Sequence, residues 1–178
     1  MFTAILLSAG LGSRLRPLTY HLPKCMMPVA GGVPLLGFWI SRLEAAGVGQ
    51  IFVNTHYLCD YVESYIEQLR PLVSADLIVI REDCLLGSLG TVRYVTSKYK
   101  PASMIVMHCD NYTEFDLSRV LAIPDGYPVA VVCFHSEKSD SVGRLEVNDS
   151  TSQICGWIEK DPSAGPGWAS NAIYSFDR

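Results

Sequence analysis

Short apolar runs rich in Val, Ile and Leu recur along most of the chain, and turn residues bound them. Such runs are typical of strands that are buried on both faces of a sheet. They predict strands at 4–8, 50–54, 77–81, 104–109 and 129–135. We therefore expect a buried sheet to form the centre of the fold.

Between these runs the apolar residues recur at the spacing of a helix. Leu36, Trp39, Ile40 and Leu43 follow the i, i+3, i+4, i+7 pattern, and Gly47 stands where such a helix would end. Helices are predicted over 34–46, 60–69 and 91–99. Strands that alternate with helices are typical of βαβ units, so the pattern predicts an α/β fold with a mostly parallel sheet.

The last third of the chain has a different pattern, with shorter and more polar strands predicted at 143–147 and 153–158. Residues 148–150, Asn-Asp-Ser, are typical of a hairpin connection, and 161–167 is typical of a surface loop. Because no linker, repeat or low-complexity segment interrupts the chain, we expect a single domain over residues 1–178.

Composition supports a globular domain. The 178 residues are 49% hydrophobic and 18% charged, and a chain of this length buries roughly 70% of its unfolded surface. No apolar run is long enough to span a membrane. The apolar start lacks the basic leader of a signal peptide, so we expect a cytoplasmic protein without membrane association.

The charges are unevenly distributed. The net charge of -4 opposes nucleic-acid binding, yet the chain before Glu44 holds four basic residues and no acid. These are Arg14, Arg16, Lys24 and Arg42. The sequence therefore predicts a local cationic site in an acidic protein.

The six cysteines show neither a Cys-x-x-Cys pair nor a histidine at zinc-ligand spacing. We expect reduced, mostly buried thiols that take no part in chemistry.

A glycine-containing loop with several cations follows the first predicted strand. It reads Ala9-Gly10-Leu11-Gly12-Ser13-Arg14-Leu15-Arg16-Pro17-Leu18-Thr19 and continues through Pro23-Lys24. Glycine lets a nucleotide approach the backbone, whose N–H groups can face phosphate oxygens. Arg14 offers a planar fork to a polyphosphate, and Lys24 a compact charge for a phosphorus atom that becomes more negative. We call residues 9–29 the phosphate loop.

Two other kinds of glycine-rich site match the loop poorly. A dinucleotide fingerprint needs a third glycine where Leu15 stands, and no acid follows about 20 residues later to hold a ribose; a dehydrogenase therefore stays only as a third hypothesis, which Leu15 opposes. A P-loop needs Gly-Lys-Ser or Gly-Lys-Thr at the start of a helix, whereas Lys24 lies between Pro23 and Cys25.

The complete loop resembles the signature of the sugar-phosphate nucleotidyltransferase family. Further segments resemble the family's motifs in the same order, namely Gly32 with 34–36, 53–57, Glu82 with 86–91, 109–111, Gly143, 159–160 and 171–174. The resemblance implies a Rossmann-like three-layer α/β/α fold with a mostly parallel mixed sheet, the nucleotide-diphospho-sugar transferase fold. It also implies transfer of a nucleotidyl group from a nucleoside triphosphate to a sugar 1-phosphate, with Mg²⁺ as cofactor. The segment after Glu82 resembles guanylyltransferases most, which favours GTP with mannose 1-phosphate or a related sugar.

The resemblance also implies roles for particular residues. Arg14 and Lys24 are the expected catalytic residues, and Asp110, just after a predicted strand, is the expected metal ligand. The expected nucleotide-binding residues are Ala9, Gly10, Gly12, Ser13, Arg14, Glu82 and Gly87. The expected sugar-phosphate-binding residues are Gly143, Glu159, Lys160 and Asn171.

Members of this family usually extend further and carry a second metal-binding aspartate, for which Asp177 is a poor candidate. We therefore expect the domain to lack its C-terminal portion. The alternative function is a catalytically impaired module that binds a nucleotide or sugar nucleotide and acts with a partner. The resemblance leaves a homo-oligomer open.

Overall fold

The fold is α/β with a mixed sheet, as the sequence predicts. A computed structural model describes residues 2–123, 126–137, 142–159, 161, 163 and 165–177. The chain divides into two compact units. Unit 1 comprises Met1–Ala130 with Tyr174–Arg178, and unit 2 comprises Val131–Ile173. The expectation of a single domain stays a prediction.

Four parallel strands form the centre of unit 1. They are β1 (Phe2–Leu7), β2 (Val48–Thr55), β3 (Asp76–Arg81) and β4 (Ser103–His108), in the order β3-β2-β1-β4. In the register, Ile5 of β1 faces Phe52 of β2 on one side and Val106 of β4 on the other. The parallel strands place their carboxyl ends along one edge of the sheet.

Helices connect these strands, as the alternating pattern predicts. They are α1 (Leu35–Ala45), α2 (Cys59–Leu69), α3 (Gly87–Tyr99) and the short α4 (Ser118–Leu121). Single 3₁₀ turns lie at Ser13–Leu15, Leu18–Tyr20, Lys24–Met26, Ala30–Gly32 and Arg70–Leu72. The apolar pattern gave no signal for α4 or for the 3₁₀ turns, because each is too short to show a helical period.

Both faces of the central strands are buried. On one face Ile5, Phe52 and Val106 pack in a cluster with Val95 of α3. Successive side chains of a strand point to opposite faces, so Leu6 points to the other face, where it is fully buried. Buried side chains therefore project from both faces of the sheet. This agrees with the expected three-layer arrangement, in which the sheet is the middle layer.

Helix α3 begins earlier than the sequence predicts, at Gly87 rather than residue 91. Its first turn is largely exposed, and Leu89 keeps 84% of its surface accessible. Because no buried side chain marks this turn, the periodicity of the sequence could not reveal it.

Unit 2 contains antiparallel strand pairs. Most of β5 (Val129–Ser136) belongs to it, with β6 (Arg144–Val147), β7 (Ile154–Ile158) and most of β8 (Gly167–Asp177). Strand β6 pairs with β7 and β8, and β8 also pairs with β5. In the predicted hairpin, the N–H of Asn148 donates to the carbonyl of Gln153 at 2.8 Å, which confirms the turn. Strand β8 contains the motif segment 171–174 and extends beyond it at both ends.

The six cysteines are free, as expected, but the expectation that most are buried is wrong. Cys25 and Cys109 are buried, Cys59 and Cys133 are intermediate, and Cys84 and Cys155 are exposed. Among the described residues, no helix has the length and apolar character needed to cross a membrane.

Candidate nucleotide-binding site

A cavity of about 360 Å³ lies in unit 1, where the chain leaves the carboxyl ends of the parallel strands. This edge is where open α/β sheets bind ligands. The cavity is lined by all nine residues that were predicted from the sequence to bind nucleotide, to bind the metal or to be catalytic. They are Ala9, Gly10, Gly12, Ser13, Arg14, Lys24, Glu82, Gly87 and Asp110.

The phosphate loop closes on itself through Gly12 and Thr19. Gly12 has a φ of 63°, and the fully buried Thr19 donates its hydroxyl to the Gly12 carbonyl at 2.8 Å. A Cβ at Gly12 would lie 2.8 Å from Cγ2 of Thr19, so only glycine fits without a shift. The hydroxyl of Tyr57, beyond the end of β2, donates to the Thr19 carbonyl at 2.8 Å. The glycine of the motif thus brings the loop into close contact with itself.

Lys24 and Asp110, predicted separately from distant parts of the chain, form an ion pair in the cavity. Nζ of Lys24 lies 2.7 Å from Oδ2 of Asp110, and the two side chains keep 28% and 37% of their surfaces exposed. Lys24 begins a 3₁₀ turn of the phosphate loop, and Asp110 follows β4. The pair places a cation and a carboxylate side by side in the cavity.

The donor set at Asp110 suits Mg²⁺. Among the residues described, no three His, Cys, Asp or Glu side chains are grouped so that they could hold a metal. A single carboxylate in this cavity nevertheless fits the ion, which binds proteins through one or two carboxylates together with substrate phosphates. The role of Asp110 as metal ligand stays a prediction.

Glu82 is almost completely buried, and both of its carboxylate oxygens accept hydrogen bonds. Oε1 accepts from Nδ2 of Asn54 at 2.9 Å and from the hydroxyl of Thr91. Oε2 accepts from the backbone N–H of Leu86 at 3.1 Å. The carboxylate therefore holds the segment 82–88, which we call the second loop. Contact between this loop and a nucleobase stays a prediction.

The two buried cysteines of the cavity are protonated. Burial raises the pKa of the Cys25 thiol to about 12. The pKa of Cys109 is raised as well, mainly by burial and further by Cys25 and Asp110 beside it. Because a thiolate is the nucleophilic form, neither residue is a nucleophile at neutral pH.

Residues 3–178 match a family model described as nucleotidyl transferase. The chain belongs to this family. The resemblance inferred from the sequence motifs is thereby confirmed.

Relatives within the nucleotidyl transferase family use different bases. The N-acetylmuramate alpha-1-phosphate uridylyltransferase of Caulobacter vibrioides is 41% identical over 110 residues, which are 61% of this chain and 45% of that protein. The mannose-1-phosphate guanylyltransferase of Mycobacterium tuberculosis is 32% identical over 118 residues, 66% of this chain and 32% of that protein. The chain thus spans less than half the length of these curated relatives.

A solved structure shares the fold. The crystal structure of HddC from Yersinia pseudotuberculosis, complexed with GMP-PN, superposes with a TM-score of 0.81 at 23% identity. The match covers 99% of this chain and 77% of that chain. The three-layer fold expected from the family resemblance is confirmed.

Three of the sugar-phosphate residues expected from the family, Gly143, Glu159 and Asn171, lie in unit 2. Trp157 donates its indole N–H to Oε2 of Glu159 at 3.1 Å, and a Cβ at Gly143 would lie within 3.0 Å of both side chains. The structure thus brings Gly143 and Glu159 together, while Asn171 lies on β8. Lys160 lies outside the described residues. Contact of these residues with a sugar phosphate stays a prediction.

The segment 53–57 belongs to the family resemblance, but no role is predicted for Asn54 within it. Asn54 also lines the cavity, and it is buried. The signal was a polar residue near the end of an otherwise apolar strand, Ile51-Phe52-Val53-Asn54, where a buried amide must have hydrogen-bonding partners.

Proposed function

We propose that this protein transfers a nucleotidyl group from a nucleoside triphosphate to a sugar 1-phosphate, releasing pyrophosphate. The observation that carries this proposal is the cavity, in which the phosphate loop, Arg14 and the Lys24–Asp110 pair meet. Membership of the nucleotidyl transferase family supports the same reaction class.

In this reaction an oxygen of the sugar phosphate forms a bond to the α-phosphorus of the nucleotide. The bond from that phosphorus to the bridging oxygen of the β-phosphate breaks, and pyrophosphate leaves with the electron pair. The attacking phosphate is already ionised, so no side chain has to remove a proton. Positioning and charge stabilisation therefore make up the protein's contribution.

The cations of the phosphate loop provide that stabilisation. Lys24, which the carboxylate of Asp110 holds in the cavity, stabilises the charge that develops at the α-phosphate. Arg14 binds the phosphates that leave, through its planar fork. Asp110 would hold Mg²⁺, which when bound neutralises phosphate charge.

For the substrates, we propose GTP with mannose 1-phosphate or a related sugar. The guanylyltransferase from M. tuberculosis supports this choice, and the uridylyltransferase from C. vibrioides makes UTP the main competitor. We further propose that Gly143, Glu159, Lys160 and Asn171 bind the sugar phosphate. The close approach of Gly143 to Trp157 and Glu159 supports a shared contact surface for two of them.

Pyrophosphate release with Mg²⁺, measured for GTP, UTP, ATP and CTP against several sugar 1-phosphates, tests the proposal. We expect turnover to be fastest with GTP and mannose 1-phosphate. Turnover with UTP alone would overturn the choice of base but not the reaction class. If a nucleotide binds but no pair of nucleotide and sugar 1-phosphate turns over, the proposed transferase activity is wrong. That result would support the alternative, a binding module that acts with a partner.

A further inference from the structure

Asn54, the next-to-last residue of β2, links the start of the phosphate loop to the strand edge. Its side-chain Oδ1 accepts the backbone N–H of Ser8 at 2.6 Å. The hydroxyl of Ser8 donates to the backbone carbonyl of Asn54. Ser8 lies between β1 and Ala9, so these two hydrogen bonds fix the point from which the phosphate loop departs.

The same amide also holds the second loop. Nδ2 of Asn54 donates to Oε1 of Glu82 at 2.9 Å and lies 3.1 Å from the hydroxyl of Thr91. Thr91, on α3, donates to the same carboxylate oxygen, and the other oxygen accepts from Leu86. One side chain therefore contacts both Ser8, from which the phosphate loop departs, and Glu82 of the second loop.

The orientation of this amide is determined by what surrounds it. Asn54 and Glu82 each keep only 5% of their surface exposed, so an unmatched donor or acceptor would be costly. A carboxylate accepts and does not donate, so the NH₂ group must face Glu82 and the carbonyl oxygen must face the Ser8 N–H. Neither Asp nor Leu can satisfy both sides at once.

We propose that Asn54 is a positioning residue that sets the spacing between the phosphate loop and the second loop, so that one nucleoside triphosphate contacts both. This inference rests on the proposed function, because it assumes that phosphates and base occupy these two loops. Beyond the proposed function, the inference assigns Asn54 the role of fixing the distance between the phosphate loop and the second loop.

Asn54→Asp is the direct perturbation. It keeps the acceptor for Ser8 but places a second carboxylate oxygen against Oε1 of Glu82, which displaces the second loop. The dissociation constant is measured by calorimetry for two probes. One probe is whichever of GTP, UTP, ATP and CTP the wild type binds most tightly, and the other is inorganic tripolyphosphate. The nucleotide spans both loops, whereas tripolyphosphate needs the phosphate loop alone.

We expect Asn54→Asp to weaken the nucleotide at least about tenfold more than it weakens tripolyphosphate, since a hydrogen bond to a charged group is lost. The matched control is Asn148→Asp, the same change at an exposed turn, where the side-chain oxygen accepts from Ser150 and an aspartate accepts equally well. This control should leave both dissociation constants unchanged.

Two further variants separate positioning from added charge and from misfolding. Thr91→Val removes a donor to Glu82 without changing charge, and we expect a loss in the same direction of about threefold. Asn54→Asp combined with Glu82→Gln reverses donor and acceptor while keeping the charge of the wild-type pair. Relative to Glu82→Gln alone, the added Asn54→Asp change should therefore improve nucleotide affinity instead of weakening it. Thermal unfolding followed by circular dichroism verifies each fold. If Asn54→Asp does not fold, Thr91→Val and the double variant decide by the same ratio.

Equal weakening of the two probes, or a double variant no better than Glu82→Gln alone, would overturn the positioning role. Its failure can be distinguished from failure of the proposed function. If the wild type binds nucleotide but never releases pyrophosphate, the proposed transferase activity is wrong. The comparison of nucleotide with tripolyphosphate affinity still tests the role of Asn54. A wild type that binds none of the four nucleotides overturns both proposals.

Discussion

Replacement of Gly12 by alanine should disrupt the phosphate loop for two separable reasons. The backbone at Gly12 has a φ of 63°, in the left-handed region that disfavours a side chain. The new Cβ would also lie 2.8 Å from Cγ2 and 3.2 Å from Cβ of Thr19, which is fully buried. Strain and steric overlap therefore act at one position.

The two contributions have different sizes. The left-handed backbone costs about 1–2 kcal/mol for alanine. Overlap with a well-packed neighbour costs about 1–3 kcal/mol more. We expect Gly12→Ala to lower the free energy of unfolding by about 2–5 kcal/mol if the loop keeps its place. If the loop moves instead, less stability is lost and nucleotide affinity falls further.

Gly47→Ala is the matched control, because Gly47 has a φ of 83° and no atom within 4 Å of an added Cβ. It should show the backbone cost alone. Thr19→Ser removes the overlapping methyl group and keeps the hydroxyl that donates to Gly12. Combined with Gly12→Ala, Thr19→Ser should restore about 1 kcal/mol or more of the free energy of unfolding, measured as the coupling energy of a double-mutant cycle.

Urea denaturation gives the free energies, and calorimetry with nucleotide gives the dissociation constants. Gly12→Ala should be worse than Gly47→Ala in both measurements. The steric reasoning is refuted if the two alanine variants lose equal stability with unchanged nucleotide affinity, or if Thr19→Ser gives no recovery.

Three other predictions concern charge. Lys24→Ala should reduce turnover at least about 100-fold with a smaller loss of nucleotide affinity, whereas replacement of the exposed Lys98 of α3 by alanine should change neither. Steady-state kinetics checks this, and unchanged turnover in Lys24→Ala contradicts the role of Lys24. Asp110→Asn should raise the Mg²⁺ concentration needed for half-maximal turnover at least about tenfold, and an unchanged Mg²⁺ requirement contradicts the ligand assignment. Hydrogen bonds from Arg81 lower the pKa of Glu63, so this pair stabilises the fold above the ordinary value of 4.5 and the stability is lost as the pH falls below it. Because Thr55 also donates to Glu63, Arg81→Gln should reduce that pH dependence without abolishing it; urea unfolding at pH 3 to 7 measures the change, and an unchanged dependence would contradict the role of Arg81.

The hydrophobic pattern determined the parallel strands of unit 1 and the helices between them. A strand such as Val48–Thr55 is buried along most of its length, so its own composition marks it. Local chemistry likewise determined that Gly12, Arg14 and Lys24 belong to a phosphate-binding loop, because the motif is contiguous in sequence. The family and the candidate nucleotide-binding residues could therefore be predicted from the order of the amino acids alone.

Tertiary structure alone decided which of these residues meet. Lys24 and Asp110 are 86 positions apart, and Asn54 and Ser8 are 46 apart, so no local pattern connects them. The hydrophobic pattern could not predict the start of α3 at Gly87, because the first turn of this helix is exposed. The hydrogen bond from Leu86 to the Glu82 carboxylate likewise forms only when α3 packs beside β1. The sequence by itself determined the elements and the chemistry of the phosphate loop, since both depend on neighbouring residues. The spacing of the two loops around the cavity was decided by buried hydrogen bonds between distant strands, which exist only after the sheet has formed.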